Sequence, residues 1–453
     1  MEAVSLSSSR ALPTQSQHGD WQLPGKALYA RYLAVRQLTA ALCEPLVAED
    51  YVIQSMPEAS PVKWHLAHTS WFFETFVLAP FLHDYRPFHP YYQFLFNSYY
   101  EAVGPRWARP RRGLLSRPTV DEVNHYRSWV DQQIAALLDR ADEELLQRIE
   151  ATLVLGLHHE QQHQELILTD LKHAWSANPL CPVYRAPTLS SPAPAEPARW
   201  LYYPSRLAWV GHRGQGFAFD NESPRHRVFL EDFELSSRLV TVGDYLAFMH
   251  DDGYHRPQLW LSDGWAARQA HGWEAPLYWS RQDNRPSDCH DNHIDNQWMV
   301  FTLGGRLPLT LEEPVCHLSY YEADAYARWA GARLPSEMEW ECATESIELA
   351  GNFLESAHFH PSAAAALEDH GPLQQLHGEV WQWTASPYVP YPGYRQLAGA
   401  LGEYNGKFMC NQMVLRGSSC VTARSHARHT YRNFFPAEAR WQFSGLRLAR
   451  DCA

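Results

Sequence analysis

A stretch rich in proline, alanine and serine divides the sequence into two parts of different character. It runs from Asn178 to Trp200 and reads NPLCPVYRAPTLSSPAPAEPARW. Because proline fixes its own φ angle and lacks a backbone N–H, such a stretch does not continue a helix or a central strand and is typical of a linker. Apolar residues recur at helical spacing before it, whereas short apolar segments, glycine-rich turns and many tryptophans follow it. The chain is therefore predicted to fold as two domains.

The expected boundaries follow from this change of character. We expect a disordered tail at residues 1–22, an all-α four-helix bundle at 23–178, a Pro-rich linker at 179–199 and an irregular α+β domain at 200–453. The tail lacks a basic region followed by an apolar one, so nothing in it indicates export.

Four amphipathic segments predict the helices of the bundle. The first has apolar residues spaced by three and four positions from Leu28 to Leu42. The second begins after Ser60, a candidate N-cap residue. Thr119 and Glu122 form the pattern of a capping box before the third, and the fourth runs from about Glu143 to Trp175. Helices of this length favour an up-down arrangement, with a long loop between the second and the third.

Charge and composition exclude several classes of partner. The formal net charge is −13 and no long basic run offsets it, so nucleic acid is not an expected partner. No uninterrupted apolar stretch of about 18 residues is present to cross a bilayer. The eight cysteines are scattered without CxxC pairs, which indicates reduced thiols and a cytoplasmic protein. The 24 histidines are an excess, and they direct attention to metal or proton chemistry.

A pair of histidines in the fourth helix is a candidate metal site. His159 and His163 lie one helical turn apart in LHHEQQHQELILTD, so both rings project from one face. A third ligand is needed, and His68 on the apolar face of the second helix is a candidate, with His65 as its competitor. The motif also spells H-E-x-x-H, in which Glu160 would be the general base of a zinc metalloprotease. Three imidazoles suit Zn, Fe or Cu and do not choose among them.

Several segments together resemble a known enzyme family. HLAHTSWFFE, FLFNSYYEAVGPRWARPRRG and GLHHEQQHQELILTDLKH closely resemble the ergothioneine-biosynthesis sulfoxide synthases, non-haem iron enzymes with a DinB-like bundle. ARLPSEMEWECAT, GEVWQWTASPY, VLRGSS and FSGLRLARD resemble their C-terminal domain, which is of the formylglycine-generating-enzyme type with a C-type-lectin-like core. The resemblance extends from about Ala27 to Asp451.

The resemblance implies a reaction and its metal site. His68, His159 and His163 would be ligands of Fe(II), and Gln162 would contact the imidazole of the substrate. Members of this family use O2 to join the sulfur of a cysteine to C2 of the imidazole of hercynine, and they deliver a sulfoxide. The expected partners are therefore small molecules, namely the substrates hercynine and cysteine, or γ-glutamylcysteine in place of cysteine.

The same resemblance assigns further residues. Adjacent tyrosines in this loop act in one branch of the family, so Tyr99 and Tyr100 are candidate proton donors, while another branch has its catalytic tyrosine in the C-terminal domain. Arg106 and Arg109 resemble the clamp for the thiol substrate, because arginine is suited to a bidentate grip on a carboxylate. For the tyrosine pair aromatic packing is the alternative, and for the arginines it is a solvated or interdomain surface.

The C-terminal YRNFF segment bears on the choice of thiol. Asn433 stands where family members contact the carboxylate of hercynine. The branch that uses γ-glutamylcysteine has Trp-Asp after this asparagine, whereas Phe434 and Phe435 follow here. Loss of that carboxylate removes a partner for the amino group of the longer thiol, so free cysteine is the expected sulfur donor.

Other functions compete with this one. A formylglycine-generating oxidase needs two active cysteines, but Thr422 and Ala427 occupy the matching positions, and Cys420 nearby is expected to be a buried structural residue. A zinc metalloprotease is favoured only by the H-E-x-x-H spacing. An ovothiol-type synthase, which attaches sulfur to C5 of histidine, usually carries an additional methyltransferase domain. A ligand-binding module with a structural metal is the non-enzymatic alternative.

Overall fold

The structure is a computed structural model that describes residues 25–187, 195–281, 298–364 and 373–452. The predicted tail at residues 1–22 lies outside the described residues, and the predicted linker at 179–199 is described only in part. None of the described helices is long and apolar enough to cross a membrane.

The N-terminal part is helical, as the apolar spacing predicts. Its helices are α1 (Gly25–Cys43), α2 (Val62–Phe73), α3 (Ala79–Phe81), α4 (Tyr92–Phe96), α5 (Val120–Arg140) and α6 (Glu143–Ser176). The long helices α1, α2, α5 and α6 pack against one another as a bundle. A π-helical turn at Glu74–Leu78 joins α2 to α3, and α4 lies in the long connection between α2 and α5.

Side-chain caps fix the starts of two long helices. The Thr119 hydroxyl accepts the Glu122 N–H, and the Glu122 side chain in turn accepts the Thr119 N–H, which is the predicted capping box. Asp142 caps α6 by accepting the N–H of Leu145 at 2.9 Å. The predicted cap at Ser60 is wrong, because Pro61 occupies the N-cap position of α2.

Ser60 is used elsewhere, which explains this difference. Its N–H donates to Asp170 of α6 at 2.7 Å, and its hydroxyl accepts from the Arg112 guanidinium at 2.9 Å. Tertiary partners therefore take the hydroxyl that the local pattern assigned to the helix terminus.

The bundle core brings α2 and α6 close together at Gly156. A Cβ atom at this position would lie 2.5 Å from the ring of Phe73 and 3.0 Å from that of Phe72, well inside van der Waals contact. Both phenylalanines are buried with Trp71, and burial of each such side chain contributes about 1.5–3 kcal/mol. The close approach sets the distance across which the histidines of the two helices meet.

The C-terminal part has the predicted α+β organisation. Its helices are α7 (Val242–His250), α8 (Ser262–His271), α9 (Tyr320–Trp329) and α10 (Glu337–Thr344). Its strands are β1 (Trp200–Tyr203), β2 (Arg206–Val210), β3 (His226–Leu230), β4 (Phe233–Ser236), β5 (Trp279–Arg281), β6 (Trp298–Thr302), β7 (Gly305–Pro308), β8 (Trp381–Pro387), β9 (Met413–Arg416), β10 (Asn433–Phe435), β11 (Ser444–Gly445) and β12 (Ala449–Asp451).

The strands form small sheets. The orders are β1-β4-β12, β10-β9-β8-β11, β2-β3 and β5-β6-β7. In the four-stranded sheet β8 pairs antiparallel with β9 and parallel with β11, and Asn433 of β10 lies opposite Leu415 of β9. Strand β10 is thus at one edge of this sheet.

Helix α6 connects the two parts of the molecule. Its residues Leu168, Leu171 and Trp175 share a buried apolar cluster with Val421 and Phe443 of the C-terminal part. The segment of α6 that precedes this cluster carries the candidate metal ligands, so their surroundings are built by both domains.

Candidate functional site

Three buried histidines converge between α2 and α6. His68 comes from α2, and His159 and His163 come from successive turns of α6. One ring nitrogen from each lies within 4.8 Å of the others, and among the described residues this is the group of histidine, cysteine and carboxylate side chains that could hold a metal ion. The structure therefore brings together the three predicted ligands.

Neighbouring groups orient two of these rings. The Nδ1–H of His68 points to the carbonyl oxygen of Phe96 at 2.6 Å, which leaves Nε2 facing the cluster. His65 lies between Asp170, 3.1 Å from its Nε2, and His163, whose Nδ1 is 2.8 Å from the Nδ1 of His65. Such hydrogen bonds fix the tautomer of a metal-binding imidazole. His65 is therefore placed to orient the ring of His163, and His68 is the third member of the cluster.

Burial keeps the cluster in the form that binds metal. It lowers the pKa of His68 and of His163 well below the ordinary value, and it lowers that of His159 to about 3. The Nε2 atoms of His68 and His159 face each other at 3.2 Å, and Nδ1 of His159 has no hydrogen-bond partner among the described residues. Three neutral imidazoles with converging nitrogens fit a divalent transition metal.

Glu160 points away from the histidines. It is completely buried, its carboxylate lies 3.0 Å from Arg36 and 2.5 Å from Arg127, and it accepts from the hydroxyl of Thr39 at 2.7 Å. Burial alone raises the pKa of Glu160, but Arg127 and Arg36 outweigh this effect and lower it to about 2. A carboxylate held in this way cannot act as the general base that the protease interpretation requires.

A cavity of about 890 Å³ lies beside the cluster and is lined by both domains. Most of the predicted site residues form its walls, namely Tyr99, Arg106, Arg109, Gln162, His163, Asn433, Phe434 and Phe435. His68, His159 and Tyr100 do not line it and lie deeper in the bundle. His163 thus connects the cluster to the cavity.

Gln162 is directed by the C-terminal domain. Its amide donates to the hydroxyl of Tyr431 at 2.6 Å, and its amide oxygen is buried with no hydrogen-bond partner in the described part of the chain. The unpartnered oxygen next to His163 is available to a donor on a bound molecule.

The two predicted tyrosines have different environments. The ring of Tyr99 lines the cavity and lies 4.9 Å from that of Tyr100, centroid to centroid. Tyr100 is fully buried between Trp71 and Phe76. Burial raises the pKa of both phenols, so both are protonated at neutral pH.

A third tyrosine, which the sequence did not single out, lies in the same place. The ring of Tyr404 is 5.9 Å from that of His159 and 5.8 Å from that of Tyr99, and it stacks on Phe219. Tyr404 belongs to a segment of the C-terminal domain that contacts the loop after Tyr99 and Tyr100. In this contact the Glu403 carboxylate accepts from the N–H groups of residues 101 and 102. No motif in the sequence marks Tyr404, and only its place in the fold reveals it.

Both arginines of the predicted clamp are exposed. Arg106 forms an ion pair with Glu101, and the Arg109 guanidinium donates to the carbonyl oxygen of Glu58. Arg112, three residues further on, is 4% exposed, lies 3.3 Å above the ring of Trp64 and lines the same cavity. Sequence reasoning missed it, although the spacing of the three arginines is regular.

Arg112 is a buried cation without an ionic partner in the described part of the chain. Its guanidinium donates to the hydroxyls of Ser60 and Ser98, and its Nε has no partner there. Burial lowers the pKa of Arg112 well below its ordinary value. Since an unpaired buried charge is costly, this group favours an anion in the cavity.

The edge strand β10 contributes the remaining predicted residues. Asn433 accepts the N–H of Phe434 at 3.0 Å, the ring of Phe434 stacks on Tyr388 at 4.0 Å, and Phe435 packs against Trp441. This wall of the cavity is largely aromatic.

The positions that would carry the cysteines of an oxidase have structural roles. The Thr422 hydroxyl donates to Glu165 of α6 at 2.8 Å, and both Thr422 and Ala427 are buried. Cys420 is fully buried, and burial raises the pKa of its thiol well above the ordinary value, so it has no thiolate character.

Comparison with known proteins gives a consistent picture. Residues 31–167 match the DinB superfamily, and residues 208–372 and 357–452 match the sulfatase-modifying factor enzyme 1-like domain family. The hercynine oxygenase of Mycolicibacterium thermoresistibile is 30% identical over 425 residues, which cover 87% of this chain and 88% of the relative. That of Mycobacterium tuberculosis is 30% identical over 319 residues, which cover 65% and 70%. Ergothioneine biosynthesis protein 1 of Schizosaccharomyces pombe is 26% identical over 255 residues, which cover 52% and 28%.

Proposed function

The chain belongs to the hercynine oxygenase family, and we propose that it catalyses oxidative C–S bond formation in ergothioneine biosynthesis. Hercynine, cysteine and O2 are the proposed substrates, and hercynyl-cysteine sulfoxide and water are the products. A C–H and an S–H bond are replaced by a C–S bond, and the sulfur gains one oxygen atom. The organic substrates lose four electrons in total and O2 gains four, with its second oxygen atom leaving as water.

One observation carries this proposal. Three neutral histidines converge beside a cavity that both domains line, and His163 reaches its wall; a buried cation and an amide oxygen with no hydrogen-bond partner among the described residues line the same space. A structural metal site would not need such a cavity, whereas a reaction between two small molecules does. Residues 23–178 would hold the metal, residues 200–453 would close the cavity, and residues 179–199 would join the two.

His68, His159 and His163 would hold Fe(II). When bound, Fe(II) supplies coordination sites for the substrates and the electrons that activate O2. The phenylalanines of β10 and Trp441 give the cavity an apolar wall, which would limit the access of water and plain oxidation of the thiol.

The polar residues of the wall orient the substrates. Gln162, held by Tyr431, presents its amide oxygen beside His163 and is suited to accept the N–H of the hercynine imidazole. Asn433 is the proposed contact of the hercynine carboxylate. Arg106 and Arg109 are proposed to grip the carboxylate of the thiol substrate.

Tyr99 and Tyr100 are the proposed proton donors to the reduced oxygen. Both phenols are protonated at neutral pH, and their adjacent rings connect the cavity with the interior of the bundle. Proton delivery from a buried phenol favours coupling of the substrates over release of partly reduced oxygen.

Free cysteine is the proposed sulfur donor. The aromatic side chains of Phe434 and Phe435 offer no carboxylate to the amino group of γ-glutamylcysteine. A longer thiol would therefore find no carboxylate for its ammonium group at these two positions, which costs affinity.

The test is O2 consumption by the Fe(II)-loaded protein with hercynine, with cysteine and γ-glutamylcysteine offered in parallel and products identified by mass. We expect hercynyl-cysteine sulfoxide from free cysteine. Preference for γ-glutamylcysteine would refute the choice of thiol, and a product with sulfur at C5 would indicate an ovothiol-type enzyme. Absence of O2 uptake and of sulfoxide in iron-loaded protein would refute the function, and the His159→Ala variant is the matched control for loss of metal.

A further inference from the structure

One face of α6 is occupied by the C-terminal domain at the level of the metal cluster. His158, Gln161, Gln162 and Glu165 follow the spacing of a single helical face. Each of them forms a hydrogen bond with that domain. His158 bonds to His426, Gln161 bonds to Ser425, and Gln162 bonds to Tyr431. Glu165 accepts from Trp381. His159 and His163 occupy the adjacent face and point to α2. The segment that carries two ligands is thus held by the C-terminal domain along a face next to the one that bears the ligands.

Glu165 has the most extensive of these contacts. One carboxylate oxygen accepts from the indole N–H of Trp381 and from the hydroxyl of Ser419, each at 2.7 Å, and the other accepts from Thr422 at 2.8 Å. The side chain is 7% exposed, and no cationic group lies within ion-pair distance of it among the described residues. A buried carboxylate without a cation is retained only if its donors satisfy it, and all three donors come from the other domain.

These contacts continue to the substrate pocket. The ring of Trp381 meets that of Tyr431 edge-on at 5.3 Å, and the hydroxyl of Tyr431 receives the amide of Gln162. Gln162 and Glu165 lie on either side of His163 in α6. The same group of C-terminal side chains therefore holds the helix on both sides of the ligand that reaches the cavity.

We infer that Glu165 is a positioning residue that fixes the ligand-bearing segment of α6 against the C-terminal domain and thereby sets the shape of the hercynine pocket. This inference rests on the proposed function. Both oxygens of Glu165 are engaged by fixed donors, so it is neither a metal ligand nor a base. It acts through Gln162 and His163, whose positions relative to Tyr431 and Asn433 depend on how the domains are held.

Two substitutions of Glu165 distinguish the effect of its hydrogen bonds from the effect of its side-chain volume. Glu165→Ala removes the acceptor of three donors, of which only the hydroxyls of Ser419 and Thr422 can turn to each other. Glu165→Gln retains the network, since its amide oxygen accepts from Trp381 and Ser419 while its amide N–H donates to the Thr422 hydroxyl, which can rotate to accept. Thr422→Val removes one donor from the opposite side with little change of shape, and it also removes the acceptor of the Ser419 N–H. Glu144→Ala, at an exposed position of the same helix, is the control.

The measurement is the affinity of the Co(II)-loaded full-length protein for hercynine, read from the visible spectrum of Co(II) well below the unfolding temperature. We expect Glu165→Ala to raise the Kd for hercynine about tenfold, the equivalent of one buried hydrogen bond left unmade. Co(II) affinity should stay within about threefold, because all three ligands come from the bundle. Glu165→Gln should restore the Kd, and Thr422→Val should raise it less than Glu165→Ala.

A purely structural role predicts a lower unfolding temperature with an unchanged Kd for hercynine. A Kd for Glu165→Ala within about twofold of that of the unaltered protein overturns the inference, as does a Glu165→Gln variant as weak as Glu165→Ala. Should Glu165→Ala not fold, the Kd for hercynine of Thr422→Val is compared with that of Glu165→Gln. A higher Kd for Thr422→Val supports the inference, and equal values overturn it.

Hydrogen exchange distinguishes failure of this inference from failure of the proposed function. If the unaltered protein shows no response to hercynine, the proposed function is wrong. In that case the role of Glu165 in holding α6 against the C-terminal domain is tested by amide hydrogen exchange in residues 156–172 and 413–435. Faster exchange in both segments of Glu165→Ala, but not of Glu165→Gln, supports the fastening role, and unchanged exchange overturns it.

Discussion

Replacement of Glu160 by glutamine separates its structural role from a catalytic one. In the structure the carboxylate neutralises Arg127 and Arg36 inside the bundle, and its pKa is lowered from 4.5 to about 2. Such a shift corresponds to about 3 kcal/mol of stability at neutral pH. Glu160→Gln keeps the size of the side chain but removes the charge. We therefore expect it to destabilise the protein by about 3 kcal/mol, within the range measured when one partner of a buried ion pair is removed.

The pH dependence provides the sharper test. Because the pKa of Glu160 is lower in the folded protein than in the unfolded chain, its contribution is complete above about pH 5 and is lost as the pH falls towards 2. The difference in free energy of unfolding between the two proteins should therefore fall to about half at pH 3. Urea unfolding at pH 7 and at lower pH, followed by tryptophan fluorescence, measures this difference, with Glu144→Gln on the exposed surface of the same helix as the control.

Two results would contradict this reasoning. A Glu160→Gln protein as stable as the unaltered one at pH 7 would show that the arginines do not depend on this carboxylate. Unchanged stability and metal content together with complete loss of turnover would make Glu160 a catalytic base, as in the protease interpretation of the H-E-x-x-H motif.

Three further predictions concern the cavity and the bundle. Tyr99→Phe or Tyr100→Phe should shift the product towards cysteine sulfinic acid, as measured by mass spectrometry; unchanged product ratios in both variants would remove these phenols from the mechanism. Arg112→Met should raise KM for cysteine about tenfold and leave KM for hercynine nearly unchanged, since a buried guanidinium with no ionic partner among the described residues is suited to a substrate carboxylate; an unchanged KM for cysteine would contradict this role. Gly156→Ala should lower stability by about 1–3 kcal/mol and weaken metal binding, because its Cβ would meet the ring of Phe73 and push α6 away from α2; an unaltered unfolding temperature would show that the rings yield.

The local pattern was sufficient where neighbours in sequence decide the structure. The capping box of Thr119 and Glu122 and the four-residue spacing of His159 and His163 were both predicted, because each depends on contacts within one helical turn. The division into a helical and an α+β part followed from the same kind of periodicity. The Ser60 cap failed because a distant arginine and a distant aspartate compete for that residue.

What the sequence by itself determined is the set of elements and their amphipathic faces; with the family resemblance it also predicts three histidines as ligands, and the structure brings these together. The choice of His68 over His65 was left open by spacing, since both lie in one helix and only the packing of α2 on α6 turns one ring to the cluster and the other to Asp170. Tyr404 and Arg112 also became visible only in the fold. Contacts between segments far apart in sequence depend on shape and burial across the whole core, and no short pattern encodes them.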